Sequence, residues 1–280
     1  MTEQAKQAAQ LIQQKIGALK PTIGIVLGSG LGPLATQIED AIRIPYSDLP
    51  GFPECTVAGH GGELIIGRIS DVTVACLHGR THFYEKIDHD LPKTMARTLK
   101  LLGCHTFIST NASGSFREHV PPGSLVAISD HISFNFNNPL VGPNDDEFGP
   151  RFLGMENVYN RNLRELLHQS ATEIKIDLHE GVYFGVLGPT FETPAEIRMF
   201  KLLGADVIGM STIPEVICAH HCGMKIAVIA VISNLAAGIS STPLSHDLTL
   251  QGAKLGEQNL IRLIKKALPN INKNSLHAVS

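Results

Sequence analysis

The hydrophobic pattern of the chain alternates between short apolar runs and longer amphipathic stretches. Apolar runs rich in β-branched residues predict strands at 22–27, 63–69, 72–77, 106–110, 124–129, 181–188, 205–210 and 225–233. Apolar residues at helical spacing predict helices at 3–19, 93–102, 160–167, 194–203 and 249–267. Strands that alternate with helices in this way are typical of an α/β fold.

The same pattern predicts one domain over residues 1–280. We expect a central mixed β-sheet flanked by helices, because no repeat or linker interrupts the alternation. Residues 1–20 form its N-terminal helix, and the polar tail at 269–280 is expected to fray. The stretch 135–156 is rich in Asn, Pro and Gly, and such long irregular stretches are often functional loops.

Composition and charge exclude several classes of protein. Apolar residues make up 43% of the 280 residues and charged residues only 18%, which excludes a disordered chain or a coiled coil. The net charge of -3 provides no basic excess to attract nucleic acid or a membrane, and no apolar run could span one. The five cysteines and the absence of a visible signal peptide favour a reducing cytoplasm.

One cluster of possible zinc ligands has two interpretations. Cys218, His220, His221 and Cys222 lie within five residues, and a helix would place several of them on one face. A structural zinc site usually combines two separated ligand clusters, and the sequence contains no second one. We therefore expect no metal here, but a buried helix end beside the strand at 225–232.

Polar and glycine-rich motifs follow the predicted strands at their carboxyl ends. In open α/β sheets, this edge forms the ligand crevice. Six separate motifs are expected to meet there: Gly28–Gly32, Gly79–Glu85, Asn111–Gly114, Phe191-Glu192, Met210-Ser211 and Asn234.

Two of these motifs are suited to binding an anion. The glycine turn Gly28–Gly32 offers closely spaced backbone N–H groups, although a plain tight turn has the same sequence. It is not a dinucleotide-binding fingerprint, because Pro33 replaces the required glycine. In an extended segment, Arg80, His82 and Tyr84 point to one side, and arginine binds phosphate through two N–H groups. The alternative is a solvated loop with a salt bridge.

Three other motifs are suited to a heterocyclic base. Small residues at Asn111–Gly114 permit close approach to the backbone. Phe191 can stack on a ring, Glu192 can accept an N–H, and Asn234 offers both a donor and an acceptor. A carboxylate and an amide together match the edge of a 6-oxopurine, although each residue alone could be structural.

Taken together, the motifs resemble the purine nucleoside phosphorylases of the trimeric, inosine-guanosine type. The resemblance spans roughly residues 20–265 in family order, and is closest to the bacterial inosine/xanthosine branch. It implies a single phosphorylase/hydrolase-like domain. It is carried by Gly28–Gly32, His60-Gly-Gly-Glu-Leu, Gly79–Glu85, Thr110–Gly114, Gly142-Pro-Asn-Asp, Gly188–Thr193, Gly209–Glu215 and Ser233-Asn234.

The resemblance implies phosphorolysis of inosine and guanosine, and of their deoxy forms, to a free base and (deoxy)ribose 1-phosphate in purine salvage. Inorganic phosphate is then a co-substrate, and no cofactor or metal is implied. The implied phosphate contacts are Ser29, His60, Arg80, His82, Ala112 and Ser211. The implied sugar contacts are Tyr84, Met210, His246 at the 5′-hydroxyl, and Phe152 from a neighbouring subunit of a trimer. The implied base contacts are Phe191, Glu192 and Asn234. His82, Glu85 as its orienting partner, and Asn234 are the implied catalytic residues.

Departures from the family leave the substrate open. Many members have Lys where this chain has Leu235, and Ala where Ser113 adds a hydroxyl that we expect beside the base. The stretch from Asn234 to His246 resembles the bacterial xanthosine phosphorylases, so a xanthosine-preferring enzyme is one alternative. Those enzymes carry a Tyr, tied to accepting xanthine, where this chain has Val186, which argues against xanthosine. The methylthioadenosine relatives carry Asp in place of Asn234, which argues against adenine nucleosides.

Two alternatives come from other classes of protein. A nucleotide-dependent oxidoreductase would need the fingerprint that Pro33 removes. A non-catalytic purine-binding protein would keep Glu192 and Asn234 but could lose the phosphate residues, which are all present here.

Overall fold

The computed structural model describes residues 2–54, 61–85, 88–134, 138–241 and 243–276. The strands are β1 (Ile23–Val26), β2 (Glu39–Pro45), β3 (Glu63–Ile69), β4 (Val72–His78), β5 (Thr106–Ser115), β6 (Leu125–Ser133), β7 (Leu178–Gly185), β8 (Val207–Gly209) and β9 (Lys225–Leu235). The helices are α1 (Thr2–Ile16), α2 (Asp90–Leu101), α3 (Arg161–Glu173), α4 (Pro194–Leu202), α5 (Ile213–His221) and α6 (His246–Leu276).

The strands form one mixed sheet. Their order is β2-β3-β4-β1-β5-β8-β7-β6-β9, and β9 also pairs with β5, so the sheet closes on itself at this end. Strands β1, β4, β5 and β9 run parallel to one another. Their carboxyl ends therefore lie at the same edge, as the sequence predicts for the ligand site.

Helices cover both faces of this sheet. Helices α1, α2 and α5 pack on one large apolar cluster, and α3 and α6 pack on the other. Helix α4 packs on a smaller cluster that includes Phe184, Phe200 and Ile208. The predicted α/β fold, with a central mixed sheet between helices, is confirmed.

Strand β2 was missed by the hydrophobic pattern. It lies at the edge of the sheet, and Ile44 is its only fully buried side chain. Its partner β3 holds it through the antiparallel ladder and through ion pairs such as Arg43–Glu63, at 2.6 Å. An edge strand of this kind has no run of apolar residues to reveal it.

The sequence predicts a frayed tail from residue 269, but residues 269–276 are helical. Helix α6 continues through Pro269 to Leu276. Ile271 is fully buried against the second cluster, and the Thr22 hydroxyl donates to Asn272 Oδ1 at 2.8 Å. Tertiary contacts therefore extend the helix beyond a residue that ordinarily ends one.

Candidate active site

One cleft contains most of the residues that the sequence predicts for the site. It holds about 760 Å³ of empty space at the carboxyl ends of the parallel strands. Its lining includes Ser29, Arg80, His82, Tyr84, Ala112, Phe191, Glu192, Met210, Ser211, Asn234 and His246. Among the predicted residues that the structure describes, only Glu85 and Phe152 are not in this lining.

Two of the predicted motifs lie inside strands rather than after them. Strand β5 extends through Asn111–Gly114, and β9 extends through Asn234. A register shift at Ser113/Gly114 places Gly114 opposite Asn234 in the parallel ladder. A Cβ atom at Gly114 would lie 3.1 Å from Asn234 Nδ2, so glycine leaves room for this amide.

Arg80 is the most deeply buried charge in the cleft, with 1% of its surface exposed. Its Nη2 donates to the Thr110 carbonyl at 2.7 Å, and its Nη1 donates to Ser211 Oγ at 3.2 Å. Its Nε lies 3.2 Å from the carboxylate of Glu215, in the first turn of α5. These contacts fix the plane of the guanidinium group, so its orientation is set before any anion arrives.

Glu215 lies largely buried beside Arg80, with 15% of its side chain exposed. Burial raises the pKa of the Glu215 carboxyl, while the Arg80 guanidinium and the Ser109 hydroxyl oppose that shift. The ion pair lets the chain keep a guanidinium group away from water, since an unpaired buried charge is costly. Sequence analysis missed this role, although Glu215 stands at the end of the Gly209–Glu215 motif.

The glycine turn lies against β5. A Cβ atom at Gly28 would lie 2.7 Å from the Thr110 carbonyl oxygen, so only glycine permits this approach. Gly30 has φ 76°, a conformation that favours glycine. The Gly28 N–H donates to Thr110 Oγ1 at 3.2 Å, which fixes the turn beside Ser29.

His82 is held by the carboxylate of Glu85. The ring Nδ1 lies 3.2 Å from Glu85 Oε1, and the His82 backbone N–H donates to the same oxygen at 2.8 Å. The Tyr84 ring stacks on the imidazole with centroids 4.7 Å apart. Burial raises the pKa of the Tyr84 hydroxyl, with a smaller contribution from Glu85. Glu85 thus contacts His82 without lining the cleft itself.

The cleft has a second end with different chemistry. Asn234 Oδ1 accepts from Ser233 Oγ at 2.7 Å, and its Nδ2 donates to the Leu235 carbonyl at 3.0 Å. Burial raises the pKa of the Glu192 carboxyl, partly opposed by a backbone hydrogen bond. Phe191 is partly exposed at the rim. A carboxylate, an amide and an aromatic ring therefore face one space.

The sequence suggests that the Ser113 hydroxyl lies beside the base, but the hydroxyl does not face the Asn234 end of the cleft. Ser113 is buried, is not in the cleft lining, and donates to Asn111 Oδ1 at 2.7 Å. Val186 lines a neighbouring cavity of about 690 Å³ that shares Arg80 and Met210 with the cleft. Leu235 contacts Asn234 through its backbone carbonyl.

Two predicted residues remain, His60 and Phe152. His60 falls outside the described residues. Phe152 is not in the cleft of its own chain, and 90% of its surface is exposed. A ring this exposed does not anchor its loop to the core of its own chain.

The cysteine and histidine cluster is a packing element within the described chain. Cys218 and Cys222 are buried, and burial raises the pKa of the Cys222 thiol to about 12. His220 Nε2 contacts the Gly154 carbonyl at 2.9 Å, and His221 Nε2 contacts Asn144 Oδ1 at 3.3 Å. Among the described residues, no group of three or more candidate ligands could hold a metal ion. Over the same ranges, every helix is too short or too polar to cross a membrane.

The fold and the cleft define an enzyme of the phosphorylase class. Residues 22–269 match the family described as the Phosphorylase superfamily, and the chain belongs to it. Within that family it is a purine nucleoside phosphorylase, as two bacterial relatives indicate. Purine nucleoside phosphorylase 1 of Geobacillus stearothermophilus is 46% identical over 269 residues, covering 96% of this chain and 98% of the relative. Purine nucleoside phosphorylase 1 of Bacillus subtilis is 42% identical over 265 residues, covering 95% of this chain and 97% of the relative.

Solved structures agree with this assignment. Schistosoma mansoni purine nucleoside phosphorylase in complex with adenosine superposes with a TM-score of 0.89 at 38% identity, covering 95% of this chain and 96% of that one. Its complex with inosine gives a TM-score of 0.89 at 37% identity, covering 95% of both chains.

Proposed function

We propose that this enzyme cleaves 6-oxopurine nucleosides, inosine and guanosine, with inorganic phosphate in purine salvage. The products are the free base and ribose 1-phosphate, and deoxyribonucleosides give the deoxy sugar phosphate. The observation that carries the proposal is the single cleft, which combines a buried arginine with a carboxylate and amide pair. Phosphate is itself the nucleophile, so the reaction needs no cofactor or metal.

Phosphate binds at the Arg80 end of the cleft. The guanidinium group supplies positive charge beside the anion, and the hydroxyls of Ser29 and Ser211 supply hydrogen-bond donors. His82, the Ala112 backbone and the His60 side chain complete the proposed contacts. Because Arg80 is buried and held by several partners, it stabilises the anion with little reorganisation.

The reaction is a displacement at C1′ of the sugar. A phosphate oxygen forms a bond to C1′ as the bond from C1′ to purine N9 breaks, and the electron pair passes to the purine. The transition state resembles an oxocarbenium ion, as in glycoside hydrolysis. Tyr84, Met210 and His246 hold the sugar between the phosphate and the base. The purine then takes a proton from solvent.

The leaving purine is stabilised at the other end. Asn234 Nδ2 donates to N7, where negative charge develops, and Glu192 accepts the N1–H of a 6-oxopurine. Phe191 stacks on the ring. The Schistosoma structures hold inosine, guanosine and hypoxanthine, and also adenosine, so the preference for 6-oxopurines is tested by kcat/KM and not by binding alone.

The functional assembly is a homotrimer in which Phe152 completes the site of a neighbouring subunit. The support is the exposure of this ring in the isolated chain, since an exposed phenylalanine beside a long irregular segment suits an interface. We place the enzyme in the cytoplasm, in keeping with the four buried free thiols of the described chain.

A panel of four nucleosides tests the proposed specificity. We expect kcat/KM for inosine and guanosine to exceed that for adenosine by about two orders of magnitude or more, because a mismatched site leaves buried polar groups unpaired. Xanthosine tests the main alternative. A higher kcat/KM for xanthosine or adenosine than for inosine would contradict the assignment.

A further inference from the structure

Thr212 departs from two local rules of protein structure. It is β-branched, yet it has φ 72° and ψ −56°, a region that such residues rarely adopt. The Ile213 N–H donates to the Ser211 carbonyl at 2.8 Å, which closes a tight γ-turn around Thr212. Thr212 also occupies the N-cap position of α5, but within the described segment 207–221 its side chain caps no helix N–H.

The Thr212 hydroxyl points into the cluster behind the cleft instead. Thr212 is buried, with 1% of its surface exposed. Asn111 Nδ2 donates to Thr212 Oγ1 at 2.9 Å, and Arg80 Nη1 donates to it at 3.4 Å. Ser211 Oγ lies 3.1 Å away. In the strained turn, the Thr212 hydroxyl therefore does not cap the helix but contacts Arg80 and Ser211, two residues of the proposed phosphate site.

These contacts fix the direction of the hydroxyl protons. The Asn111 amide N–H and the guanidinium N–H groups can only donate, so both lone pairs of Thr212 Oγ1 are occupied. The Thr212 proton is then available to Ser211 Oγ, 3.1 Å away, with the Tyr183 hydroxyl as the other acceptor nearby. Ser211 Oγ also accepts from Arg80 Nη1 at 3.2 Å, which leaves its own proton to be donated into the cleft.

Ser113 sets the orientation of this chain of donors at its far end. Its hydroxyl donates to Asn111 Oδ1 at 2.7 Å, and this fixes the amide with Nδ2 facing Thr212. The donors therefore run in one direction, from Ser113 through Asn111 and Thr212 to Ser211. Ser113, which departs from the alanine of many family members, therefore belongs to the phosphate half of the site.

We propose that Thr212 is a positioning residue for phosphate: its strained turn holds a hydroxyl that directs the Ser211 proton toward the anion. The inference rests on the proposed role of Ser211 in binding phosphate. Local rules are commonly broken at functional sites, where the surrounding contacts maintain the strain. A donor oriented before binding stabilises the anion without reorganisation. Phosphate affinity should therefore depend on the Thr212 hydroxyl, and nucleoside affinity should not.

Three variants of Thr212 separate the hydroxyl from the backbone strain. Thr212→Val keeps the branched shape but removes the hydroxyl, and we expect KM for phosphate to rise about tenfold or more. Thr212→Ser keeps the hydroxyl and should stay within about threefold of wild type. Thr212→Gly adopts the observed φ without strain, so Tm should hold or rise while KM for phosphate still increases. KM for inosine should change by less than about twofold throughout, because the base half is untouched.

The matched control is Thr98→Val in α2. Thr98 is also buried, and its hydroxyl donates within its own helix to the Thr94 carbonyl at 2.8 Å. This variant measures the general cost of removing a buried threonine hydroxyl. We expect a lower Tm and an unchanged KM for phosphate.

Ser211→Ala distinguishes failure of the inference from failure of the proposed function. If Ser211→Ala leaves KM for phosphate unchanged, Ser211 does not bind phosphate and the proposed function is wrong at this residue. If Ser211→Ala raises KM but Thr212→Val and Thr212→Gly do not, the inference is overturned. If both hold, adding Thr212→Val to Ser211→Ala should have almost no further effect on KM, since the two residues act through one proton. Additive effects would also overturn it.

Discussion

Replacement of Asn234 by Asp tests how the cleft chooses between 6-oxo and 6-amino purines. In the structure, Asn234 Oδ1 is fixed by Ser233 Oγ at 2.7 Å, and one N–H is directed to the Leu235 carbonyl at 3.0 Å. The amide nitrogen carries two N–H groups, and the second is the proposed donor to the purine. An ionised aspartate has only acceptors, and one of its oxygens would face the Leu235 carbonyl.

The size of the effect follows from the bond that is lost. A hydrogen bond to a charged group contributes about 1.5–3 kcal/mol, and the leaving purine carries developing negative charge. Its loss should lower kcat/KM for inosine by about 10- to 150-fold. Adenosine offers an exocyclic N–H₂ donor that a carboxylate can accept, so its kcat/KM should fall less or rise. We therefore expect the inosine-to-adenosine ratio to drop about tenfold or more.

The assay measures kcat/KM for inosine and adenosine in both proteins at saturating phosphate. The matched control is Asn160→Asp, which makes the same change where the side chain caps α3 and an aspartate serves equally well. The control should leave both values unchanged. An unchanged ratio in Asn234→Asp would contradict the proposed role of Asn234 and place specificity elsewhere in the cleft.

Three further predictions concern other parts of the molecule. Glu192→Gln should lower kcat/KM for inosine, with a loss of about 2–3 kcal/mol of transition-state stabilisation, because an amide replaces a charge-assisted acceptor. Glu192 must also be ionised to accept N1–H, and burial raises the pKa of its carboxyl. In the wild type, kcat/KM for inosine should therefore fall as the pH decreases, and the fall should begin at a higher pH than the ordinary glutamate pKa near 4.3 predicts. Glu192→Gln should not show this fall at acid pH. Phe152→Ala should weaken activity without lowering Tm if a neighbour uses the ring, and a fully active monomer in sedimentation would contradict the shared site. Ile271→Ala should lower the free energy of unfolding by about 2–5 kcal/mol, as for other buried isoleucines, and a truly frayed tail would show no loss.

The sequence predicted the fold where burial follows a simple period. The β3–β4 hairpin shows this, because two apolar runs flank Ser70 and Asp71, which turn with φ 49° and 63°. Strand β2 was missed because one face of an edge strand meets water. The end of α6 was misplaced because Ile271 is stabilised by contacts distant in sequence.

For the candidate site, the sequence predicted which residues meet but not how their side chains are oriented. Motifs at strand ends identify which side chains meet, because parallel strands present their carboxyl ends at one edge. Single residues cannot show which way a hydroxyl points or what lies behind a charge. Ser113 was expected beside the base and instead donates to Asn111, and Glu215 was not expected behind Arg80.

The dependence of inosine cleavage on phosphate is the decisive test of the proposed function. Purified enzyme is given inosine with saturating phosphate or in phosphate-free buffer, and both hypoxanthine and ribose 1-phosphate are quantified. We expect that cleavage requires phosphate, and that one ribose 1-phosphate forms for each base released. Base release at the same rate without phosphate, or with free ribose as the product, would contradict it.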